Sequence, residues 1–327
     1  MEHEIALQED FITDLNLEPA IVGHDQAVRL QRLIAFLVVV IPFLGVLAAA
    51  YMLSNYGVSN FGVSIFIVMY CLGMLGITLG FHRHFAHRSF QTGRAMQLAL
   101  AILGSMSAQG PLFFWVATHR RHHGYSDRLG DPHSPQLHGA TFRGKLQGFW
   151  HGHIGWMFAR ELTNWLKYVP DLLKDQGLFV MHRLYFVWLL LGLFIPALLG
   201  LLITGTAYGG LEGFIYGGLV RIFFVNHALW CVGSISHMYG GRPLKAKTKD
   251  HSANNFWVAL AAFGEGNQNN HHAYPRSARH GLEWWQPDFT YSVIQALAAA
   301  GLVWKVAAPN RATVLADYQK TKSTTGV

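Results

Sequence analysis

The chain has 327 residues, of which 51% are hydrophobic and only 13% are charged. Soluble domains usually carry about a quarter of their residues as charged groups, so this composition excludes an ordinary soluble protein and predicts a membrane protein. The formal net charge is +7, but the basic residues lie beside apolar stretches, which favours a membrane surface as their partner and excludes nucleic acid.

Four apolar stretches are long enough to cross a hydrocarbon core of about 30 Å. They fall into two pairs, and a short linker without charged residues joins the members of each pair. The sequence therefore predicts two transmembrane helical hairpins. The four predicted spans are 33–53, 61–81, 184–204 and 214–232.

The distribution of basic residues predicts which side of the membrane each end of a hairpin faces. The linkers 54–60 and 205–210 carry no charge, whereas arginine and lysine crowd the opposite ends of the spans. Because basic residues mark the cytoplasmic side, both termini and all the histidine-rich segments are expected to face the cytoplasm. The basic residues concerned are Arg29, Arg32, Arg83, Arg88, Arg94, Arg183, Arg242, Lys245, Lys247 and Lys249.

Two further apolar stretches, 95–116 and 292–306, fit a fifth or sixth span poorly. The first is interrupted by glutamine, serine, glycine and proline, which favours a helix at the interface or packed under a cytoplasmic domain. We predict an N-terminal cytoplasmic segment at 1–32, one membrane domain at 33–309 and a loose polar tail at 310–327. The predicted fold is an all-α integral membrane protein with four transmembrane helices and a cytoplasmic helical cap.

Three histidine-rich clusters carry the strongest chemical signal: HRHFAH at 82–87, HRRHH at 119–123 and QNNHH at 268–272. Adjacent imidazoles compete for protons unless a cation holds them, and imidazoles this close can share a metal ion. Eight of them are too many for one octahedral ion, which predicts two metal ions. Neither Cys71 nor Cys231 joins a cluster, so the imidazoles could hold iron, zinc, copper or nickel.

Other histidines fit ordinary roles in the interior or on the surface. These are isolated residues, among them His24, His138, His182 and His280. His84 follows His82 by two residues and is predicted to be a spare rather than a ligand.

The clusters and their flanks resemble the membrane-bound fatty acid desaturases, and the resemblance covers nearly the whole predicted membrane domain. GITLGFHRHFAHRSF at 76–90 is similar to the first histidine box of that family, and GEGNQNNHHAYP at 264–275 is similar to the third. The second box is followed by DPH at 131–133 and GHIGWMF at 152–158, both similar to the acyl-CoA desaturase branch. SISHMYG at 234–240 resembles the family's segment with a lone histidine.

This resemblance implies two iron ions bound by histidines from all four segments. Gln268 stands where the third box usually begins with histidine, and its carbonyl oxygen would be a weaker ligand than imidazole. Gly233 stands where the family often has an asparagine that binds metal through water. The implied iron ligands are His82, His87, His119, His122, His123, His237, His271 and His272.

The resemblance also implies roles for residues around the ligands. Glu265, Asp127 and Asp131 are candidate acceptors that would fix the imidazole tautomers, although loop caps or salt bridges would equally explain them. Arg221 lies within a predicted span and requires a polar partner or a position facing the cap. The residues expected to shape an acyl tunnel are Gln109, Trp115, Leu229 and Trp230. The two tryptophans could instead be interfacial anchors.

The implied activity is oxygen-dependent desaturation of a fatty acyl chain. Removing hydrogen from an unactivated methylene requires an oxidant stronger than any side chain, so the metal pair must activate dioxygen, which excludes zinc. The expected product is a cis double bond, at delta-9, in a saturated long chain. An iron-dependent hydroxylase acting on acyl chains or hydrocarbons is the alternative.

The resemblance leaves the substrate carrier and the electron source open. The animal acyl-CoA branch has a charged pair just before the second box, whereas this chain has Ala117 and Thr118. Coenzyme A, acyl carrier protein and a phospholipid therefore all stay possible as carriers. Electrons are expected from a separate ferredoxin, or from a cytochrome with its NAD(P)H reductase.

Overall fold

The computed structural model describes residues 20–246 and 249–325, so most of the predicted N-terminal segment, as well as Lys247, lies outside it. Helices dominate the described residues, which confirms the predicted all-α class. Four helices are long and apolar enough to cross a membrane, as predicted. They are span 1 (Asp25–Tyr56), span 2 (Asn60–Ala86), span 3 (Tyr185–Thr204) and span 4 (Ala207–His237).

The two hairpins are joined to each other at the end opposite the cap. Glu212, near the start of span 4, is buried although it carries a carboxylate. Its two oxygens accept hydrogen bonds from the backbone N–H of Ser59 (2.9 Å) and from the Ser59 hydroxyl (2.6 Å). Because Ser59 is also the N-cap of span 2, this contact fixes the start of span 2 against the start of span 4.

Helices make up most of the cap. They are α1 Arg94–Ser105, α2 Leu112–Tyr125, α3 Phe142–His153, α4 Trp165–Tyr168, α5 Pro170–Leu173, α6 Gln176–Arg183, α7 Phe256–Ala261, α8 Gln268–Ala273, α9 Phe289–Ala299 and α10 Arg311–Thr325. Single 3-10 turns are Pro135–His138, Gly155–Phe158 and Ile235–His237.

Two small antiparallel sheets connect distant parts of the chain. The first pairs β1 (Ala20–Val22) with β3 (Glu161–Thr163), and the second pairs β2 (Gln91–Thr92) with β4 (Val303–Trp304). The second sheet therefore ties the segment after span 2 to the segment after α9. Both strand pairs are short, and the helices supply most of the packing.

The two apolar stretches that were not predicted as spans form no helix long enough to cross a membrane. The first becomes α1 and the start of α2, and the chain turns between them at Gly110 (φ +95°) and Pro111. The second becomes most of α9 and then β4. Helix α1 lies directly on span 2: a Cβ at Gly76 would be 2.4 Å from the backbone carbon of Leu103. Only glycine permits that approach.

The prediction of a loose C-terminal tail is wrong, because residues Arg311–Thr325 form helix α10. The side chain of Asn310 accepts a hydrogen bond from the N–H of Thr313 (2.8 Å), as an N-cap does. Val314 is buried against Leu244 and Leu282. Apolar packing, the N-cap and side-chain hydrogen bonds such as that from Tyr274 to Asp317 (2.6 Å) therefore dock a helix that its polar composition does not predict.

Arg221, in span 4, has the polar partners that its position requires. It is fully buried, and its guanidinium donates hydrogen bonds to three backbone carbonyl oxygens. These belong to Gly217 (3.1 Å), Met106 (2.7 Å) and Gly192 (2.7 Å). The three carbonyl dipoles stabilise a charge that would otherwise be expensive at this depth.

Candidate metal centre

The first histidine box lies on a π-helical segment, Gly76–Ala86, at the end of span 2. On an α-helix, residues five apart point about 140° away from each other, whereas the i to i+5 hydrogen bonds of a π-helix bring them together. The N–H of His87 donates to the carbonyl of His82 (3.1 Å), and the two ring centroids are 4.8 Å apart. His84 packs against Phe85 and Phe90 instead, as expected for a spare.

The second and third boxes lie on helices α2 and α8. Neighbouring residues on an α-helix point about 100° apart, so each helix can serve two separate groups of ligands. On α2, His123 and His122 belong to different groups, and on α8 the same is true of His271 and His272.

The structure brings all eight histidines predicted as ligands together in two groups. Within each group, one ligand atom from each residue lies within 4.8 Å of all the others. The larger group is His82, His87, His119, His123 and His271. The smaller group is His122, His237 and His272.

Pairs of Nε2 atoms face one another at the centre of the groups. In the larger group, the distances are 3.1 Å from His82 to His271, 2.7 Å from His87 to His119 and 2.9 Å from His271 to His123. In the smaller group, His122 and His272 are 3.4 Å apart. Ligands at about 2.1 Å from one ion lie about 3.0 Å apart in cis positions, so these separations fit a shared metal ion.

Carboxylates occupy the opposite side of four of the rings. The Nδ1 atoms of these histidines lie within hydrogen-bonding distance of acidic oxygens that can only accept. The pairs are His82 with Glu265 (2.5 Å), His122 with Asp131 (3.0 Å), His237 with Asp127 (2.9 Å) and His272 with Asp250 (2.6 Å). Three of the acids were expected in this role, and Asp250 was not.

This pattern fixes the tautomer of the rings and explains why the two groups suit a cation. If Nδ1 donates to a carboxylate, Nε2 carries a lone pair. Lone pairs that face each other at about 3 Å repel unless a cation lies between them, as happens in metal sites with carboxylate-bound imidazoles. The donor set therefore fits metal ions.

The electrostatics favour an ionised Asp127 and a neutral His272. Burial raises the pKa of Asp127, but the charge and hydrogen bond of His237 outweigh burial and lower this pKa to about 2. Burial lowers the pKa of His272 to about 4, although Asp250 opposes that change. At neutral pH Asp127 is therefore an acceptor for His237 Nδ1, and His272 is in the neutral form that binds a cation.

A buried charge network lies behind the larger group. Arg83 is fully buried, and its guanidinium binds Glu265 (3.0 Å) and Asp288 (2.9 Å). Glu265 in turn binds His82, so Arg83 acts on the metal ligands through one carboxylate. Apart from the position of Arg83 inside the first box, no sequence pattern indicates this network.

The ordinary role predicted for His280 does not describe its surroundings. His280 is fully buried, and its ring packs on His271 with centroids 4.4 Å apart. Neither ring nitrogen makes a hydrogen bond with the described residues, and the nearest acidic oxygen, on Glu265, lies 3.6 Å from Nδ1. His280 is isolated in the sequence, so its contact with His271 could not be predicted. The contact depends on the path of the segment between α8 and α9.

Gln268 lies beside the smaller group, as its position in the third box predicts. Its side-chain amide nitrogen is 3.4 Å from His237 Nε2 and 3.2 Å from His272 Nε2. Its Oε1 atom is buried and has no hydrogen-bond partner among the described residues. An amide flip would exchange these two atoms and turn the carbonyl oxygen toward the imidazoles.

One cavity connects the ligand groups to the predicted tunnel residues. Imidazoles from both groups line it, namely His82, His119 and His122, together with Gln268. The remaining walls of the cavity are largely apolar and include the indole rings of Trp115 and Trp230. All four predicted tunnel residues, Gln109, Trp115, Leu229 and Trp230, line this cavity.

The fold and these imidazole groups define a class of protein: membrane enzymes that hold metal with histidine boxes beside an apolar cavity. Residues 57–306 match the family described as Fatty acid desaturase. The chain belongs to that family, and it is therefore an oxidoreductase that acts on fatty acyl chains.

Several relatives are similar over most of their length. The hex-5-enoyl-[acyl-carrier protein] acetylenase of Moorena producens is 44% identical over 88% of this chain and 90% of its own. Two sn-1 stearoyl-lipid 9-desaturases are also similar: that of Synechocystis sp. is 38% identical over 75% of this chain and 71% of its own, and that of Anabaena variabilis is 40% identical over 73% and 81%. None of these three is named as a hydroxylase, so they do not favour the hydroxylase alternative.

Proposed function

We propose that this desaturase uses two iron ions and dioxygen to introduce a cis double bond at delta-9 of a saturated long acyl chain. The cavity carries this proposal, because it joins imidazoles of both ligand groups to apolar walls at Trp115, Leu229 and Trp230. The similarity to two stearoyl-lipid 9-desaturases supports the position of the double bond.

One iron would be held by the five-histidine group and the other by the three-histidine group with Gln268 as a weak ligand. Bound iron would supply the activation of dioxygen that hydrogen removal from a methylene requires. The protein's own carboxylates on Nδ1 hold the imidazoles in one tautomer and one orientation. The apolar walls align the acyl chain and keep bulk water away from the reacting carbon.

The proposal extends to the carrier of the acyl group and to the electron donor. The acyl group would arrive on a lipid, coenzyme A or acyl carrier protein, and electrons would come from a separate ferredoxin or a cytochrome with its reductase. A second candidate reaction is triple-bond formation in an unsaturated acyl chain on acyl carrier protein. The acetylenase of Moorena producens, similar over 88% of this chain, favours it.

Expression in a host without its own desaturase tests the function. Lipids and thioesters of the host, read by mass spectrometry, should gain a monounsaturated chain with the double bond at delta-9. A triple bond that forms only when a terminally unsaturated acyl chain is supplied on acyl carrier protein would favour the second candidate. Hydroxylated chains without a new double bond would contradict both.

In the same host, Trp230→Ala is expected to broaden the chain length or the position of the product double bond. The indole of Trp230 lines the cavity and is not among the ligand groups, so the iron content per chain should stay the same. Loss of iron in this variant would show that Trp230 supports the metal site rather than the tunnel.

We further propose that residues 33–309 form the desaturase domain, with the cap and both termini in the cytoplasm. The uncharged linkers between the paired spans and the basic residues near the cap support this orientation. A cysteine at Asn55 or Tyr208, both near the ends opposite the cap, should react with an impermeant thiol reagent added outside the cell. Labelling of a cysteine at Arg128 by the same reagent would reverse the proposed topology.

A further inference from the structure

The two ligand groups are unequal. The larger contains five imidazoles, whereas the smaller contains His122, His237 and His272. An octahedral ion accepts six ligands. Even with Gln268, the smaller group leaves positions that another part of the chain, or water, must fill.

His133 lies next to the smaller group but is not one of its three imidazoles. Its backbone N–H donates to Asp131 (3.1 Å), the carboxylate that holds His122. Its ring lies on the His122 ring, with centroids 4.4 Å apart and an angle of 25° between the planes. It also lines the cavity, and its Nδ1 atom is buried without a hydrogen-bond partner among the described residues.

A glycine on span 4 leaves space in front of this nitrogen. Gly233 precedes His237 by four residues in span 4. A Cβ at Gly233 would be 3.4 Å from His133 Nδ1 and 3.5 Å from the carbonyl oxygen of Gly152. These are ordinary contact distances, so two polar atoms border the space beside Gly233.

We propose that His133 completes the smaller metal site by holding a water molecule that binds the ion. His133 is not part of the group formed by His122, His237 and His272, so a water would link its Nδ1 atom to the ion. A buried water needs two to four polar partners, and His133 Nδ1, the Gly152 carbonyl and the ion would supply them. The inference rests on the proposed iron site.

The test compares iron binding in His133→Ala, His133→Phe, Gly233→Asn and the double variant His133→Ala with Gly233→Asn. Each full-length chain is loaded with ferrous iron in detergent without oxygen, and the iron per chain and its release to a chelator are measured. Loss of an outer partner of a metal site typically weakens binding about 10–100-fold. Both His133 variants should therefore release one of two irons about 10–100-fold faster than the wild type.

The double variant should recover the second iron, because Gly233→Asn introduces a side-chain amide into the space beside the same water. His138→Ala is the matched control: it removes a histidine five residues later that contacts His151, and it should keep both irons. His133→Phe retains the ring stacking on His122, so it separates loss of the nitrogen from loss of packing.

Retention of both irons with unchanged release in His133→Ala and His133→Phe would overturn the role of His133. Failure of the asparagine to rescue a well-folded His133→Ala variant, checked by circular dichroism, would overturn the water-mediated geometry. A wild-type chain that binds fewer than two irons would instead refute the di-iron proposal itself.

Discussion

Replacing His271 with alanine is expected to abolish desaturation and to release metal from the larger group. His271 Nε2 lies between His82 Nε2 (3.1 Å) and His123 Nε2 (2.9 Å). An alanine leaves this central position without a ligand atom, because the methyl group cannot bind metal. Product should fall below detection in the lipid assay, and the iron content should fall from two per chain to one or fewer.

His84→Ala is the control for this experiment, because His84 belongs to the first box but packs on Phe85 and Phe90. That variant should keep its iron and most of its activity. Full activity in His271→Ala, or equal losses in both variants, would contradict the assignment of the larger group as a metal site.

Replacing Arg83 with methionine is expected to lower the free energy of unfolding by about 3–5 kcal/mol, the usual cost of breaking a buried ion pair from one side. Arg83 is the shared partner of Glu265 and Asp288, and both carboxylates are buried. Burial already raises the pKa of Asp288, and without the guanidinium this carboxyl would lose the positive charge that it contacts. Unfolding in detergent, followed by intrinsic fluorescence, measures the loss.

Arg88→Met is the matched control for Arg83→Met. Arg88 also pairs with an aspartate, Asp171, but its side chain is 62% exposed. An exposed pair contributes about 0–1 kcal/mol, so this variant should unfold close to the wild type. Similar stability of the two variants would mean that the buried network contributes little to the fold.

The spans and the histidine boxes could be predicted because each depends on local sequence. A stretch of about twenty apolar residues can cross a bilayer in any context, and paired imidazoles keep their chemistry wherever they lie. The π-helix at Gly76–Ala86 could not be predicted in this way. The π-helix brings His82 and His87 together. It lies where span 2 packs on α1, with Gly76 close to the backbone at Leu103, and local sequence does not reveal that contact.

The features that the sequence did not reveal depend on contacts between distant segments. Asp250 reaches His272 from a loop 22 residues away, and no motif marks it. His280 is brought onto His271 by the turn after α8. Helix α10 is polar, and it docks through Val314 against Leu244 and Leu282 and through the hydrogen bond from Tyr274 to Asp317. In each case the local sequence is ordinary, and the tertiary partner creates the role.

The carbonyl groups that bind Arg221 also bear on how the chain is made. Its acceptors belong to Gly192, Met106 and Gly217, all of which precede Arg221 in the chain. Synthesis proceeds from the N-terminus, so every partner has left the ribosome before the guanidinium enters the membrane. The charge, which costs roughly 2.5–3.5 kcal/mol when unpaired, can thus be stabilised by carbonyl dipoles as span 4 inserts. Two acceptors lie on segments made before span 4 and the third lies on span 4 itself, so insertion need not wait for the third histidine box.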